Sequence, residues 1–545
     1  MRVAPQPTLA SQEFWKSGAD GRLRIATCTS CRARVHPPQP ICPECRGRHL
    51  DMAEVAGLAT VVALTVNEQT WSPTFPPPYV VAIVELADAP GVRLTTNIVG
   101  CEPSDVYIGM PVKVTFEQVE DVWLPLFEPV LAGGATQVQE PDPREVQSAS
   151  KVPTSTRKYE DAVAITGVGK SRIGRRLMVD PLSLTIDAAL AAVEDAGLTL
   201  SEIDGLSTYP GGWMPGMSEG GASAVEDALR IHPVWVNGGS ETPGQFGSIT
   251  AAMLAVASGL CRHVLCFRTV WESSYSALVR SGQWHVSPER ASGMVEYSVP
   301  FGAYSPANWI ACQASHYLHR YGVDRDVLGW IAVTERQGAA RNPDAIYRDP
   351  LSIEDYRAAR MVSTPFGLYD CDVPVDGAVA VVVSAAETVP DRPRPPVFVE
   401  ASGTQILERL SWDQGTLTHL PQSLGPAAHL WTRTTLRPKD VDVALLYDGF
   451  TFNALSWLEA LGFCNFGEAT DFIDEGRGIA LGGALPLNPH GGQLSAGRTH
   501  GFGLVYEGVQ QLRRTAYGRQ VEGADVAVVT NGGGVPSGAM LLRRG

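Results

Sequence analysis

Four cysteines near the N-terminus place the strongest constraint on how this chain folds. Cys28, Cys31, Cys42 and Cys45 form the pattern C-x2-C-x10-C-x2-C, with each pair on one tight turn. Two such turns offer four thiolates to one metal ion and leave no open coordination position. Residues 1–50 are therefore expected to hold an N-terminal helix and a ribbon around a structural metal. Zinc is the expected ion, and iron in a rubredoxin-like site is the alternative.

The chain has 545 residues, too many for one hydrophobic core, and its pattern changes after the ribbon. Residues 51–131 contain short alternating segments bounded by Gly, Pro or Asp, which predict the strands of a small β-barrel. Residues 132–157 lack apolar periodicity and are rich in small and turn-forming residues, so they predict a linker.

Strands and helices alternate beyond the linker. Residues 161–171 predict a strand and a glycine turn, 181–198 an amphipathic helix, and 203–212 the next strand. A similar order returns from 395–405 to 441–452. This recurrence indicates an internally duplicated α/β region, with a first half at 158–390 and a second half at 391–545.

A glycine-rich segment at residues 485–503 reads LPLNPHGGQLSAGRTHGFG. The paired glycines Gly491 and Gly492 let a backbone approach a ligand closely. His490, Arg498 and His500 supply proton-transfer and anion-binding groups at the same place. The segment therefore predicts an active-site loop, whereas a plain surface turn is the alternative.

Composition excludes several classes of protein. The formal charge of −15 argues against binding to nucleic acid or to an anionic membrane. The longest apolar stretch, 249–261, is too short for a membrane helix, and the N-terminus lacks the pattern of a secretion signal, so a cytoplasmic location is expected. Ten cysteines are too few for a disulfide framework. The basic first fifty residues fit either a phosphorylated ligand or a solvated surface.

Several motifs resemble the thiolase superfamily, and especially its lipid-transfer-protein branch. The motifs are the Asn488–Gly492 segment followed by Gly497, together with TPFGLYDCDVPVDGAVAVVV at 364–383, YDGFTFNALSWLEALGFC at 447–464 and TNGGG at 530–534. The resemblance covers roughly residues 158–545 and implies a duplicated, layered αβαβα fold. The first 130 residues resemble the rubredoxin-like ribbon and OB-fold domain, of the type once called a domain of unknown function (DUF35), that accompanies such enzymes as a separate subunit. Here the two are fused.

This chain departs from thiolases at the residues that carry acyl transfer. Ser240 or a neighbouring glycine stands where the nucleophilic cysteine belongs, and Arg498 stands at the position of the catalytic histidine. Tyr447 occupies the position of a loop asparagine, and Thr530 that of the second cysteine. Without a thiolate and its activating histidine, acyl transfer through a covalent intermediate loses its machinery.

The cysteine-free branch resembles aldolases that cut steroid side chains, splitting a β-hydroxyacyl-CoA into a ketone and a shorter acyl-CoA. The resemblance implies that active-site tyrosines carry the acid–base work, and Tyr447 matches one such position, whereas Arg498 stands at the other. Our hypothesis is that Tyr447 takes the hydroxyl proton and that Arg498 favours its phenolate by opposite charge. His490 or His500 would then stabilise or reprotonate the enolate. Asn488, Gly491, Gly492, Ser240 and Gly533 are the expected substrate-binding positions.

Three other functions remain open at this point. A Claisen-type acyltransferase would use an unconventional nucleophile, and a non-catalytic acyl-CoA or lipid carrier would only bind. A nucleic-acid module built on the ribbon is disfavoured by the overall acidity. The resemblance also implies coenzyme A as part of the substrate and a homodimer formed through the thiolase-like region.

Overall fold

The chain is described here from a computed structural model. The structure describes residues 2–130, 140, 142–152, 157–239, 244–284, 290–391, 393–409, 411–532 and 537–545. Half of the predicted linker, as well as Ser240 and Gly533, lies outside these residues. Within them, no helix has the length and apolar character needed to cross a membrane.

The N-terminal part combines a three-stranded ribbon with a barrel-like sheet, as predicted. Its elements are α1 (Gln12–Lys16), β1 (Arg24–Cys28), β2 (Arg34–Val35), β3 (Leu50–Glu54), β4 (Leu58–Asn67), β5 (Tyr79–Leu86), β6 (Arg93–Thr96), β7 (Pro111–Val119) and β8 (Val122–Pro129). The ribbon strands run in the order β2-β1-β3, and β4 pairs with both β5 and β7. Strand β8 was not predicted, because its prolines and its proximity to β7 hide the alternating pattern.

The predicted linker and the first half of the α/β region contain fifteen α-helices and strands among the described residues. They are α2 (Pro143–Ser148), β9 (Val163–Lys170), α3 (Pro181–Asp195), β10 (Gly205–Thr208), α4 (Ala222–Leu229), β11 (Trp235–Gly238), α5 (Gly247–Ala257), β12 (His263–Trp271), α6 (Glu272–Arg280), α7 (Pro306–Tyr321), α8 (Asp326–Ala339), α9 (Ile353–Ala358), β13 (Met361–Ser363), β14 (Phe366–Gly367) and, closing the half, β15 (Asp376–Ala385). Helix α2 lies inside the predicted linker, where the Asp142 side chain caps it by accepting a hydrogen bond from the Arg144 amide.

The second half repeats the first. Its elements are β16 (Val397–Gly403), α10 (Pro421–Trp431), β17 (Val443–Leu445), α11 (Thr451–Ala460), α12 (Ala469–Ile473), α13 (Phe502–Leu512), β18 (Val526–Asn531) and β19 (Gly538–Arg544). Nine strands of the two halves form one sheet in the order β11-β10-β12-β15-β9-β16-β19-β18-β17, whereas β13 and β14 join the sheet of the barrel. The series β10-β12-β15-β9 and β17-β18-β19-β16 have the same pairing directions, so the predicted duplication is confirmed.

Apolar residues cover both faces of this sheet. Strands β12 and β15 are buried along their whole length, as expected for strands with helices on each side. Alternate residues of β15 join two different cores: Val379, Val381 and Val383 pack in one, whereas Ala378, Ala380 and Val382 pack against α3 in the other. The sheet therefore holds the ends of β12, β15 and β17 at fixed positions.

The ribbon and barrel are joined closely to the α/β region. Ser363 of β13 pairs with Asn67 of β4, and the Ser363 and Thr65 hydroxyls lie 2.8 Å apart. The Trp15 indole donates a hydrogen bond of 2.7 Å to Glu296. Glu140, within the predicted linker, is buried between Arg93 of the barrel and His316 of α7. These contacts fix the N-terminal part against the α/β region.

Candidate functional site

The glycine loop at 485–503 approaches the polar ends of several sheet strands. Gly491 and Gly492 have φ values of 105° and 56°, which favour glycine. A Cβ atom on Gly492 would lie 2.0 Å from Asp448 Oδ2 and 2.3 Å from Glu335 Oε2. Gly492 is therefore needed for a close approach to a buried pair of carboxyl groups, whereas a Cβ atom on Gly491 would lie 2.5 Å from the Ala339 Cβ atom. The predicted substrate-binding role of the two glycines stays a prediction.

This carboxyl pair holds the loop from inside the protein. Asp448 Oδ2 accepts hydrogen bonds from the Gln493 and Leu494 amides at 2.6 and 3.1 Å. Glu335 Oε1 accepts one from the Asn488 side chain at 2.8 Å. Burial and the Asp448 charge raise the pKa of Glu335 well above its usual range, and burial raises the pKa of Asp448 to about 6. One proton shared between the two carboxyl groups provides a hydrogen-bond donor for their remaining oxygens, which otherwise have no partner among the described residues.

Arg498 lies between two carboxylates. Its Nε and Nη2 atoms both donate to Glu272 Oε2, with an Nε–Oε2 distance of 2.9 Å, and Nη1 donates to Asp372 at 3.0 Å. Burial alone would lower the pKa of Arg498, but Asp372 and Glu272 together raise it. For Asp372, burial disfavours the charged carboxylate and raises its pKa to about 7, although Arg498 acts in the opposite direction. The trio carries one excess negative charge when both acids are ionised.

Tyr447 follows β17 and is buried beside this trio. Its backbone N–H donates to the Thr530 hydroxyl at 2.8 Å. Burial and the Asp372 charge raise the pKa of Tyr447 above its ordinary value, although Arg498 acts in the opposite direction. Arg498 thus has the predicted direction of effect, but burial and the carboxylates outweigh it, and Tyr447 keeps its proton near neutral pH.

His500 is held in one tautomer by a buried arginine. Arg268, fully enclosed, donates from Nη2 to His500 Nδ1 at 2.6 Å and from Nη1 to the carbonyls of Tyr209 and Met217. Burial, with Arg268 and Arg498, lowers the pKa of His500 well below its usual range. Because Nδ1 accepts a hydrogen bond, the ring proton resides on Nε2, which lies 3.9 Å from Glu272 Oε2. His500 is therefore a neutral hydrogen-bond donor.

The remaining predicted residues fall into three groups. His490 lines a separate cavity of about 50 Å³ with Lys170, Glu507 and Arg519, where burial lowers its pKa to about 4. Asn488 is fully buried, and its amide donates to Glu335 Oε1 and to the Leu446 carbonyl. Ser240 and Gly533 stay predictions, since they lie outside the described residues.

Sequence reasoning missed the charged residues that complete the cluster, namely Glu272, Asp372, Arg268, Asp448 and Glu335. One signal was available. Asp372 belongs to the YDCDVPVDG motif and Asp448 to YDGF, and each lies beside residues that the motifs had already singled out. Arg268 lies on β12 and Glu272 is the first residue of α6. Nothing in the sequence around them distinguishes them from charged residues with a purely structural role.

Cysteine chemistry is disfavoured in the described part of this cluster. Cys371 precedes Asp372, is half-buried, and its thiol contacts the Gly367 carbonyl at 3.6 Å. Burial and the neighbouring Asp370 and Asp372 raise the pKa of the Cys371 thiol well above its usual range. A thiolate is the form that attacks a thioester, so this environment works against a covalent acyl intermediate at Cys371.

The four ribbon cysteines lie close enough to share one metal ion. Their sulfur atoms all lie within 4.8 Å of one another, with 3.5 Å between Cys28 and Cys45 and 3.6 Å between Cys31 and Cys42. A tetrahedral zinc with Zn–S bonds of about 2.3 Å requires sulfurs about 3.8 Å apart, which these distances approach. The donor set fits a closed structural zinc site.

Substitution of Cys42, a buried ligand, by Ser is expected to abolish full zinc binding and to destabilise the ribbon. Structural zinc sites of this kind contribute about 10–16 kcal/mol of apparent binding energy that is coupled to folding. Zinc content by atomic emission and thermal unfolding would measure both effects. Cys101→Ser, outside the cluster, is the control. Full zinc retention in the Cys42 variant would contradict the assignment, and iron in the native protein would favour the rubredoxin-like alternative.

Replacing Glu335 by Gln is expected to stabilise the protein at pH 8. Because folding raises the pKa of Glu335, the native state holds a proton that the unfolded state releases above about pH 4, so stability falls as pH rises above that value. Gln keeps an acceptor for Asn488 and supplies a permanent donor to Asp448, which predicts a gain of about 1–3 kcal/mol at pH 8. The dependence of the free energy of unfolding on pH should become weaker in this variant but should not disappear, because the pKa of Asp372 is also raised.

Urea unfolding at pH 5 and pH 8 measures this effect. Glu507→Gln is the matched control, since Glu507 is equally buried but accepts hydrogen bonds from Arg519 at 2.9 and 3.0 Å. Breaking that pair should destabilise the protein by about 3–5 kcal/mol. A Glu335→Gln variant that loses stability at pH 8 would show that no proton is shared with Asp448.

Comparisons with known proteins agree with this architecture. Three family models match: a rubredoxin-like zinc ribbon domain of ChsH2 at residues 15–51, a C-terminal OB-fold domain of ChsH2 at 53–117, and a thiolase C-terminal domain-like family at 415–542. The expected ribbon, OB-fold and thiolase-like fold are thereby confirmed.

Two curated relatives and one solved structure cover the α/β region. The steroid side-chain-cleaving aldolase of Thermomonospora curvata is 34% identical over 70% of this chain and 97% of its own length. The 17-hydroxy-3-oxo-4-pregnene-20-carboxyl-CoA lyase of Mycobacterium tuberculosis is 34% identical over 70% of this chain and 98% of its own. A structure of an Ltp2-ChsH2(DUF35) aldolase matches with a TM-score of 0.63 and 32% identity, over 70% of this chain and 98% of that one. The chain belongs to the thiolase-like family of steroid side-chain aldolases, here fused to a zinc ribbon and an OB-fold domain.

Proposed function

We propose that this protein is a carbon–carbon lyase that cleaves a β-hydroxyacyl-CoA with a steroid-like side chain into a ketone and a shorter acyl-CoA. One observation carries the proposal. The cluster around Arg498 offers carboxylates, a protonated tyrosine and a neutral histidine, whereas the neighbouring Cys371 thiol is held protonated. Those groups suit proton transfer and enolate stabilisation, and they do not suit acyl transfer to a thiolate.

Each group has a distinct part in the proposed reaction. A base removes the proton of the β-hydroxyl, the electrons of that O–H bond form the ketone, and the bond between the α and β carbons breaks. Its electron pair passes to the thioester as an enolate. His500 Nε2–H donates to the enolate oxygen, and the Tyr447 hydroxyl returns a proton to the α carbon.

Arg268 and Arg498 act through these residues. Arg268 holds His500 as a donor by occupying Nδ1. Arg498 orients Glu272 and Asp372 and balances part of their charge. We assign no step to His490, whose ring lies in a separate cavity and whose Nδ1 atom is buried without a hydrogen-bond partner among the described residues.

The test uses the purified full chain and the CoA thioester named in the mycobacterial relative, 17-hydroxy-3-oxo-4-pregnene-20-carboxyl-CoA. Mass spectrometry should detect a 17-ketone and a three-carbon acyl-CoA, formed without added free CoA. Strict dependence on free CoA, or trapping of an acyl-enzyme from labelled acyl-CoA, would favour a Claisen-type acyltransferase. Binding of the thioester without turnover would favour a carrier.

We also propose that two chains associate along the open edge of the sheet and that the protein works in the cytoplasm. Strand β11 ends the sheet, and Val234 and Val236 are exposed along it. An exposed apolar edge is a surface that proteins normally cover. The proposed cytoplasmic location rests on the four-thiolate metal site, which suits a reducing compartment. Light scattering of Val236→Lys should give a lower mass than the native protein, and equal masses would reject this edge as the interface.

A further inference from the structure

We infer that Glu272 is the base that removes the proton of the β-hydroxyl. This inference rests on the proposed function, which requires such a base but does not name it. Glu272 is the first residue of α6 and directly follows the last residue of β12. No motif in the sequence singles it out.

The hydrogen bonds of Glu272 leave one of its oxygens free to act. Oε2 accepts both contacts from Arg498, whereas Oε1 accepts no hydrogen bond from the residues that the structure describes. The Glu272 side chain is 17% exposed. Asp372 differs, because both of its oxygens accept from Arg498 Nη1 and its side chain is 6% exposed. Glu272 is thus oriented by one oxygen, while the other accepts no hydrogen bond from the described residues.

The neighbours of Glu272 match the arrangement of the substrate. In a β-hydroxy thioester the hydroxyl and the thioester oxygen are carried by carbons separated by one atom, so the groups that bind them must be close together. His500 Nε2, the donor to the enolate oxygen, lies 3.9 Å from Glu272 Oε2. A base at Glu272 and a donor at His500 therefore serve the two ends of the same three-carbon unit.

The charges of the cluster favour the uptake of one proton by its two acids. With both acids ionised, Arg498 balances only one of them, and burial makes an excess negative charge costly. When Glu272 accepts the hydroxyl proton, Arg498 and Asp372 remain as a neutral pair. After the ketone leaves, Glu272 passes its proton to solvent, and Tyr447 takes a proton from solvent to replace the one that it gave to the α carbon.

An aromatic group around Trp271, the residue before Glu272, supplies the apolar part of the site. The Trp271 ring lies 5.5 Å from those of Trp213 and Tyr275 and 6.0 Å from that of Trp284. Trp213 is 55% exposed, so this group reaches the surface. An acyl group whose rings contact these side chains would bring its β carbon to the boundary between apolar and charged residues, where Glu272 lies.

The decisive test separates cleavage from enolate chemistry in the full-length protein. Glu272→Gln is expected to lower kcat for the 17-hydroxy-3-oxo-4-pregnene-20-carboxyl-CoA substrate about 10²–10⁴-fold. Exchange of the α protons of propionyl-CoA in D2O is the reverse of the last step, in which the Tyr447 phenolate takes the α proton and His500 donates to the enolate oxygen. It does not use Glu272, so it should stay close to the native rate. The acid limb of the native pH profile should also disappear in this variant.

Controls distinguish failure of this inference from failure of the proposed function. Glu272→Asp should recover part of the cleavage, and Asp372→Asn should keep more activity than Glu272→Gln. If Glu272→Gln cleaves at the native rate, or loses exchange and cleavage together, Glu272 is not the base. A native protein that neither cleaves the substrate nor exchanges α protons would instead reject the proposed function. If Glu272→Gln does not fold, the ordering of Glu272→Asp and Asp372→Asn decides, and equal losses would overturn the inference.

Discussion

Tyr447→Phe should lower kcat for cleavage about 10²–10⁴-fold, the range of a single proton-transfer group, with little change in stability. The substitution removes one oxygen from a buried ring. The hydroxyl of Tyr447 neither donates a hydrogen bond to the described residues nor accepts one from them. Burial and Asp372 keep this hydroxyl protonated, so its loss removes the donor that returns a proton to the α carbon. The exchange of α protons should fall together with cleavage, which separates Tyr447 from Glu272.

Tyr506→Phe is the matched control for this prediction. Tyr506 lies on α13 and lines the separate cavity that contains His490. Its variant should therefore retain native kcat. Steady-state kinetics by detection of the ketone, with thermal unfolding of each variant, would measure both. Full activity in Tyr447→Phe would remove Tyr447 from the mechanism.

Features encoded by short-range patterns could be predicted from the sequence. The cysteine spacing predicted the ribbon, because two Cys-x2-Cys turns need no distant information to define a metal site. The duplicated order of strands and helices was also readable, since each unit carries its own periodicity and caps. Asp180 before Pro181 at the start of α3 is an example: its side chain accepts hydrogen bonds from the Leu182 and Ser183 amides.

The chemistry of the cluster could not be predicted in the same way, because burial and partners decide it. His490 and His500 look alike in the sequence, yet one faces a separate cavity and the other accepts a hydrogen bond from Arg268. Arg268 comes from β12, more than two hundred residues before His500. The predicted effect of Arg498 on Tyr447 had the right direction, but its size depended on two carboxylates that only the fold brings together.

The site also contains conformations that cost stability. His500 has a φ of 51° and Asn488 a φ of 43°, values that residues other than glycine adopt only where surrounding contacts hold them. The Asn488 amide is held by Glu335 and by the Leu446 carbonyl, and the His500 ring is held by Arg268. The buried carboxyl pair and the buried arginine thus fix the loop from which Arg498 and His500 extend.

Arg498→Met is expected to have the second large effect, on stability and on the pH profile at once. Removal of Arg498 leaves Glu272 and Asp372 close together without a countercharge, and loss of one partner from a buried ion pair costs about 3–5 kcal/mol. The two acids should then hold a proton to higher pH, because burial already raises the pKa of Asp372 to about 7 with Arg498 present. Since the base must be ionised to act, the acid limb of kcat/KM should move to higher pH.

Two further variants separate this coupling from a general loss of stability. Arg513→Met breaks another buried ion pair, with Asp195 at 2.5 Å, and Arg513 donates no hydrogen bond to the described residues of the cluster. It should destabilise the protein without moving the pH profile. Arg498→Lys keeps a positive charge but cannot bridge both carboxylates as a planar guanidinium does, so its profile should lie between those of the native protein and Arg498→Met. Urea unfolding and pH–rate profiles of the three variants provide the comparison. If the acid limb of Arg498→Met coincides with the native one, Arg498 does not set the ionisation of the base. Glu272 would then have to act as the base without the positive charge closest to it.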